Sequence, residues 1–254
     1  VTAASLRALH VPGRPLVLPN VWDAASARTV EKAGFAAVAT SSAAIAAALG
    51  YRDGEALPVV EMLDTIARIA DAVSVPVTAD IERGYGLAPA ELVERLAATG
   101  AVGCNLEDSD PRTRTMVDPS AQADFLAAVR AAAVHSGLDL VINARVDTFA
   151  RPDPILEDAL IRARLYRAAG ADCVFPILAA EPEHIRALVG GVDAPINIMC
   201  RPGAPAPAEL AALGVARVSF GSGLRSALQA HHRQLLDQIL AGDSPYHSGQ
   251  SGQT

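Results

Sequence analysis

The sequence predicts an α/β fold, a single (β/α)8 barrel of the TIM type, and three observations carry that prediction. Short β-type runs alternate strictly with longer helical patterns, which is the mark of a parallel sheet whose crossovers are helices. The alternation repeats eight times in 254 residues, a length at which eight such units close into one barrel. No Gly/Ser/Pro-rich linker interrupts the series, so residues 1–242 read as one barrel domain and 243–254 as a polar, disordered tail in which His247 has no role.

The strand runs are LVLP (16–19), AAVATS (36–41), PVTAD (76–80), GCNLE (103–107), LVINAR (140–145), DCVFP (172–176), PINIM (195–199) and RVSF (217–220). Their short, nearly continuous apolar character suits strands buried on both faces. Helical patterns follow at 25–34, 59–73, 88–100, 119–137, 154–170, 181–191, 206–214 and 222–242. Gly34, Gly100, Gly137, Gly170 and Gly214 stand where those helices stop. Pro89, Pro119, Pro154, Pro182 and Pro207 stand near where helices start. The last helix carries Leu224, Leu228, Leu235 and Leu236 as an apolar stripe that fits either its own barrel or a partner's.

Composition narrows the function. The chain is 51% hydrophobic but only 4% aromatic, so its core is built of aliphatic side chains. A net charge of −7 without any basic run argues against a nucleic-acid partner. Cys104, Cys173 and Cys200 lack CxxC spacing and read as small residues in a reducing cytosol. The opening VTAASLRALHVPGRP has no signal-peptide run, and no apolar stretch is long enough to span a bilayer. A cytoplasmic protein without membrane contact is the expectation.

Barrel chemistry sits where strands end and βα loops begin. The residues there include Asn20, Trp22, Asp23, Ser41, Ser42, Asp80, Glu82, Glu107, Asp108, Arg145, Asp147, Ile177, Asn197, Arg201 and Gly221. Asp80, Glu82 and Glu107 come from two adjacent strand ends, and Asp53 lies in the preceding loop LGYRDGE. Four carboxylates at one mouth repel one another unless a hard dication is shared among them. Oxygen-only donors select Mg²⁺ or Mn²⁺, held directly by one or two carboxylates and otherwise by water. Any one of these acids reads equally as a helix cap or a loop ion pair. Asp80 and Glu82 together at one strand end favour the metal.

Arg145 in INARVD is suited to grip a substrate carboxylate through two parallel hydrogen bonds. Ser41 and Ser42 supply hydroxyls and N–H groups for an anion, or else form an ordinary ST-turn. Tyr85 in ERGYG is a candidate acid or a packing residue. His10, His184, His231 and His232 read as structural, and Gly84 with Gly86 makes no nucleotide-binding fingerprint.

The segments PNVWDAASA (19–27), ALGYRDGE (48–55), VPVTADIERGYG (75–86), GCNLED (103–108), INARVD (142–147) and PINIM (195–199) resemble the isocitrate lyase/phosphoenolpyruvate mutase superfamily, in order across nearly the whole barrel. The resemblance implies a barrel that binds Mg²⁺ and a small 2-oxo acid or its enolate, assembled as homodimers or homotetramers that exchange a C-terminal helix. It matches Asp80 to the metal carboxylate and Asp53, Glu82 and Glu107 to outer, water-mediated ones. It matches Ser41, Ser42 or Ala43, together with Arg145, to the substrate carboxylate site, and Asn197 to a polar position of the lyase branch.

The departures are equally specific. The lyase branch carries a Lys-(Lys/Arg)-Cys-Gly-His loop, but EDSDPRTRTMVDPS (107–120) holds no Cys, His or Lys. The mutase branch's Lys-x-Asn is absent there too, leaving Arg112 or Arg114 as the nearest charges. Ala39 or Thr40 stands in place of the mutase tryptophan, and Ile177 in place of a lyase glutamate. The retained half of the machinery implies a Mg²⁺-dependent lyase or decarboxylase for a small 2-oxo dicarboxylate, with Arg145, Tyr85 and Glu107 as its catalytic groups. The alternatives are a C–P bond enzyme, either phosphonopyruvate hydrolase or mutase, and a non-catalytic 2-oxo acid binder.

Overall fold

The computed structural model describes residues 2–113 and 115–246. Arg114, most of the tail and His247 lie outside the described residues. The strands are β1 (Leu16–Leu18), β2 (Asn20–Val21), β3 (Val38–Thr40), β4 (Val77–Asp80), β5 (Gly103–Leu106), β6 (Val141–Val146), β7 (Cys173–Pro176), β8 (Asn197–Met199) and β9 (Arg217–Ser219). They pair in parallel in the orders β2-β3-β4-β5-β6-β7 and β1-β9-β8. A single parallel bridge, Val174 to Ile196, joins β7 to the approach of β8 and completes the ring. Every predicted strand run therefore becomes a stave of the barrel.

The first stave is split. Pro19 has no N–H to give the ladder, so β1 pairs with β9 while β2 pairs with β3. Asn20 repairs the break: its Nδ2 donates to the Thr40 carbonyl at 2.8 Å and its Oδ1 accepts from the Phe220 N–H at 2.7 Å. One side-chain amide thus ties both neighbouring staves together at the rim.

The helices are α1 (Ala3–Ala8), α2 (Ala24–Lys32), α3 (Ser42–Leu49), α4 (Val59–Asp71), α5 (Pro89–Ala98), α6 (Pro119–His135), α7 (Leu156–Ala168), α8 (Pro182–Gly191), α9 (Pro207–Ala212) and α10 (Gly223–Leu240). α4 shows why they pack: Met62, Thr65, Ile66 and Ile69 recur at helical spacing and are all buried. Burying each large aliphatic side chain contributes about 1.5–3 kcal/mol. Gly103 shows how tight the barrel is, since a Cβ there would meet Leu6 Cδ2 and the Val141 carbonyl at 3.0 Å.

Two helices go beyond what the sequence pattern predicts. α1 closes the barrel floor behind a reciprocal Thr2/Ser5 cap. α3, SAAIAAAL, is small and apolar on every side, so it has no periodicity to read; it starts at the Ser41 cap and stops at Gly50 in the left-handed region. α10 is the opposite case. None of its residues is buried, and Leu224, Leu228 and Leu236 are exposed on the apolar stripe. Leu224 and Leu228 line a cavity of about 590 Å³ against Trp22, Ala25, Thr29 and Val30 of the α2 region. Among the described residues no helix is long and apolar enough to cross a membrane.

Candidate active site

Asp80 is the last residue of β4, and its carboxylate is held from both sides. Oδ2 accepts from the Ser42 N–H at 3.0 Å and from the Ser42 hydroxyl at 2.8 Å. Oδ1 accepts from Asn105 Nδ2 at 3.3 Å. Its backbone N–H donates to Thr40 Oγ1 at 2.8 Å. The structure therefore brings together Asp80 and Ser42, a metal candidate and a substrate candidate. Ser41 is used differently, because its hydroxyl caps α3 by accepting from the Ala44 N–H at 3.3 Å. Ala43 follows in the first turn, where helix N–H groups lack intrahelical acceptors.

The next loop is built from residues in a costly conformation. Glu55, Glu82 and Tyr85 all have left-handed φ, at 58°, 51° and 57°. They restrain one another. Glu82 Oε2 accepts from the Glu55 N–H at 2.6 Å, Glu55 Oε1 accepts from the Tyr85 N–H at 2.7 Å, and the Tyr85 hydroxyl donates to Glu82 Oε1 at 3.1 Å. Glu55 gives no sign of this role in the sequence, because a loop acid without periodicity carries no signal. Gly84, at φ 93°, completes the turn against Leu92 and Phe125.

Glu107 follows β5 and is buried, with its carboxylate paired to Arg145 at the end of β6. Arg145 Nε also donates to Asp147 at 2.6 Å. The arginine expected to grip a substrate carboxylate is thus held by two protein carboxylates. Asp108, fully buried, anchors the whole edge. It accepts from the Asp147 N–H at 2.8 Å, the Tyr166 hydroxyl at 2.7 Å and Arg162 Nη1 at 3.1 Å. Just beyond it, the chain doubles back in a small antiparallel hairpin bridged at Ser109 and Met116.

A cavity of about 390 Å³ at the C-terminal mouth is lined among others by Asp53, Glu82, Glu107, Arg145, Asp147 and Arg151. Asp80 and Ser42 stand behind this lining, with the Asp80 charge acting on Asp53, Glu82, Glu107 and Arg145. Ser109, Asp110 and Pro111 of the hairpin form part of its wall. Asn197 does not reach it. β8 ends two residues later at Met199, so Asn197 lies below the rim inside the barrel, fully buried and accepting from the Ser219 hydroxyl at 3.3 Å. Its Nδ2 is buried without a hydrogen-bond partner among the described residues. Tyr85 points its hydroxyl at Glu82 and is not part of the cavity wall.

The electrostatics are those of an acid surplus. Burial, reinforced by Asp53 and Asp80, pushes the Glu82 carboxyl up to about 7. Burial raises Asp53, with Asp80 adding to it. Glu107 is raised well above the carboxylate range because burial outweighs the pull of Arg145. Burial opposes the charge on Arg145, but Glu107, Asp147 and Asp80 outweigh it and hold the guanidinium above its usual value. Burial and the Glu82 charge push Tyr85 upward, so it stays a phenol.

This donor set fits a hard dication, since all the ligating atoms are oxygens and their mutual repulsion is relieved by positive charge. Among the described residues no three acidic, histidine or cysteine side chains close on one point. The four carboxylates do not form a protein cage, and the residues fit an ion that keeps most of its waters. Asp80 is the direct-ligand candidate, with Asp53, Glu82 and Glu107 around it.

Comparison with known proteins agrees with this architecture. The phosphoenolpyruvate phosphomutase family model matches residues 6–240. A phosphonomutase-like protein from Burkholderia cenocepacia J2315 superposes with TM-score 0.89 at 43% identity, covering 93% of this chain and 99% of that one. A 2,3-dimethylmalate lyase of the PEP mutase/isocitrate lyase superfamily superposes with TM-score 0.86 at 27% identity, covering 99% of this chain and 92% of that one. The oxaloacetate decarboxylase of Bradyrhizobium sp. (strain BTAi1) is 33% identical over 220 residues, which span 84% of this chain and 73% of the relative. With its strand-end carboxylates, its parallel barrel and a family match over nearly its full length, the chain belongs to the phosphoenolpyruvate phosphomutase family, within the isocitrate lyase/phosphoenolpyruvate mutase superfamily of lyases and mutases.

Proposed function

We propose that this chain is a Mg²⁺-dependent lyase that breaks the C–C bond next to the carbonyl of a small 2-oxo dicarboxylic acid, with decarboxylation of an oxaloacetate-like acid as its reaction. Mn²⁺ would serve in the same place. The observation that supports it most is the mouth of the barrel itself: Asp80 held by Ser42, with Asp53, Glu82, Glu107 and Arg145 gathered about a cavity large enough for a four-carbon acid.

Asp80 is the residue that would hold the dication directly, and Asp53, Glu82 and Glu107 would accept hydrogen bonds from its waters. A dication bound there supplies Lewis acidity toward a carbonyl oxygen on which negative charge develops. Arg145 orients the substrate carboxylate, exchanging part of its pairing with Glu107 and Asp147 for the substrate. As the C–C bond breaks, its electron pair moves toward the 2-oxo group, CO₂ departs and an enolate remains. A proton then returns to carbon from water, while Tyr85 keeps its hydroxyl on Glu82 and so holds the loop that presents that acid. CO₂ leaves without a general acid, which agrees with a 107–120 loop that holds no Cys, His or Lys. The hairpin bridged at Ser109 and Met116 supplies one wall of the cavity through Ser109, Asp110 and Pro111.

C–P chemistry is the second reading, favoured by the 43% identity to a phosphonomutase-like protein. The deciding assay measures pyruvate and CO₂ from oxaloacetate, and phosphate from phosphonopyruvate, above the background of free Mg²⁺. Pyruvate formation that needs the protein supports the decarboxylase. Phosphate release selects the second reading, and ligand binding without either product makes the chain a 2-oxo acid binder. A homodimer or homotetramer belongs to the same proposal, with the exposed stripe of α10 covered by a partner chain.

A further inference from the structure

Asn105 is the register partner of Asp80 on the adjacent β5 and is almost fully buried. Its Oδ1 accepts from Asn143 Nδ2 at 2.8 Å and from Arg217 Nη2 at 3.3 Å. Two donors on the oxygen decide which way the amide points, so its NH₂ faces Asp80 and donates to Oδ1 at 3.3 Å. Ser42 already holds Oδ2, so neither carboxylate oxygen is left unrestrained.

Arg217 is the unusual member. It is 1% exposed, on β9 inside the closed barrel. Among the described residues its Nε and Nη1 have no protein partner, and its one hydrogen bond to a side chain is to a neutral amide. Burying a guanidinium in this way is costly, and an apolar side chain of similar length would stabilise the barrel more. A residue that costs stability where it stands is explained by what it does to a functional group. The group within reach is Asp80, whose charge acts on Arg217 and which Arg217 meets through one amide.

We propose that Arg217 and Asn105 form a buried brace that fixes the rotamer of the Asp80 carboxylate, which makes both of them positioning residues for the cation site. The inference rests on the reading of Asp80 as the metal carboxylate. Partners of this kind orient metal ligands, and removing one typically weakens metal binding 10- to 100-fold.

The test pairs a metal-free crystal structure with Mn²⁺ titration followed by electron paramagnetic resonance, on the native chain and on Arg217→Met, Arg217→Lys, Asn105→Leu and Asp80→Ala. Arg217→Met is expected to melt no lower than the native chain, to reorient the Asn105 amide and the Asp80 carboxylate, and to weaken Mn²⁺ binding about tenfold. Asn105→Leu, which leaves Arg217 in place, gives the same loss and serves if Arg217→Met does not fold. Arg217→Lys, which keeps a charged donor, stays within about threefold of native. An unmoved Asp80 with native Mn²⁺ affinity in both Arg217→Met and Asn105→Leu overturns the brace, and so does a lowered melting temperature with unchanged affinity. If Asp80→Ala binds Mn²⁺ as the native chain does, the reading of Asp80 falls instead, and the metal-free crystal structures still decide the brace.

Discussion

Ser42 and Asp80 are joined twice, the backbone N–H and the hydroxyl of one serine both donating to a single carboxylate oxygen at 3.0 and 2.8 Å. The N-terminus of α3 and the end of β4 thus meet at one atom. Ser42→Ala removes the hydroxyl and leaves the N–H. Partners that orient a metal ligand typically matter 10- to 100-fold, so divalent-metal affinity by calorimetric titration should fall about tenfold or more with no change in fold. Unchanged affinity would detach Ser42 from the metal site.

Arg145 is shared between Glu107 and Asp147, and a substrate carboxylate would compete for the same guanidinium. Arg145→Lys keeps the charge but not the planar fork. KM for the 2-oxo acid should rise about tenfold or more, with kcat falling less. Equal KM values in steady-state assays would show that the arginine only neutralises its two acids.

His10 offers a pH test read out in stability rather than in metal binding. Burial, with the charge of Arg217 added, lowers its imidazole to about 4. A histidine kept neutral in the fold contributes stability that is complete above its unfolded value of about 6.5. That stability drains away as the pH falls from there toward about 4. The contribution is on the order of 3 kcal/mol. Urea melts across that acid range up to neutrality should show stability rising with pH, and His10→Gln should flatten that slope. A slope identical in the variant assigns the acid sensitivity to other groups.

α10 buries none of its residues, yet Leu228 and Leu236 are 57% and 45% exposed. Covering such a stripe with a partner chain contributes roughly 25 cal/mol per Å². Sedimentation should find the native chain oligomeric and the Leu228→Asp/Leu236→Asp double variant dissociated. A native monomer would remove the partner from the proposal.

Much of this is legible in sequence for a physical reason. Staves buried on both faces need continuous apolar runs, so all eight stand out, and the polar residues that follow them, Asp80, Glu107 and Arg145, stand out in turn. α3 is hidden because SAAIAAAL is apolar on every side. Asn105 and Arg217 are hidden inside strand runs, where one polar residue looks merely tolerated. Their meaning lies in a contact across 112 positions of sequence. The depth of Asn197 is likewise invisible in sequence, because it is set by the register of β8 against β9.

Calorimetric titration of Mg²⁺ into the native chain and into Asp80→Ala, each followed by the oxaloacetate assay, bears most directly on the metal at the barrel mouth. The native chain should bind saturably and release pyruvate in proportion to the bound ion, while Asp80→Ala does neither and still folds. Equal Mg²⁺ affinity in the two chains, or turnover in the native chain untouched by chelator, would contradict the assignment.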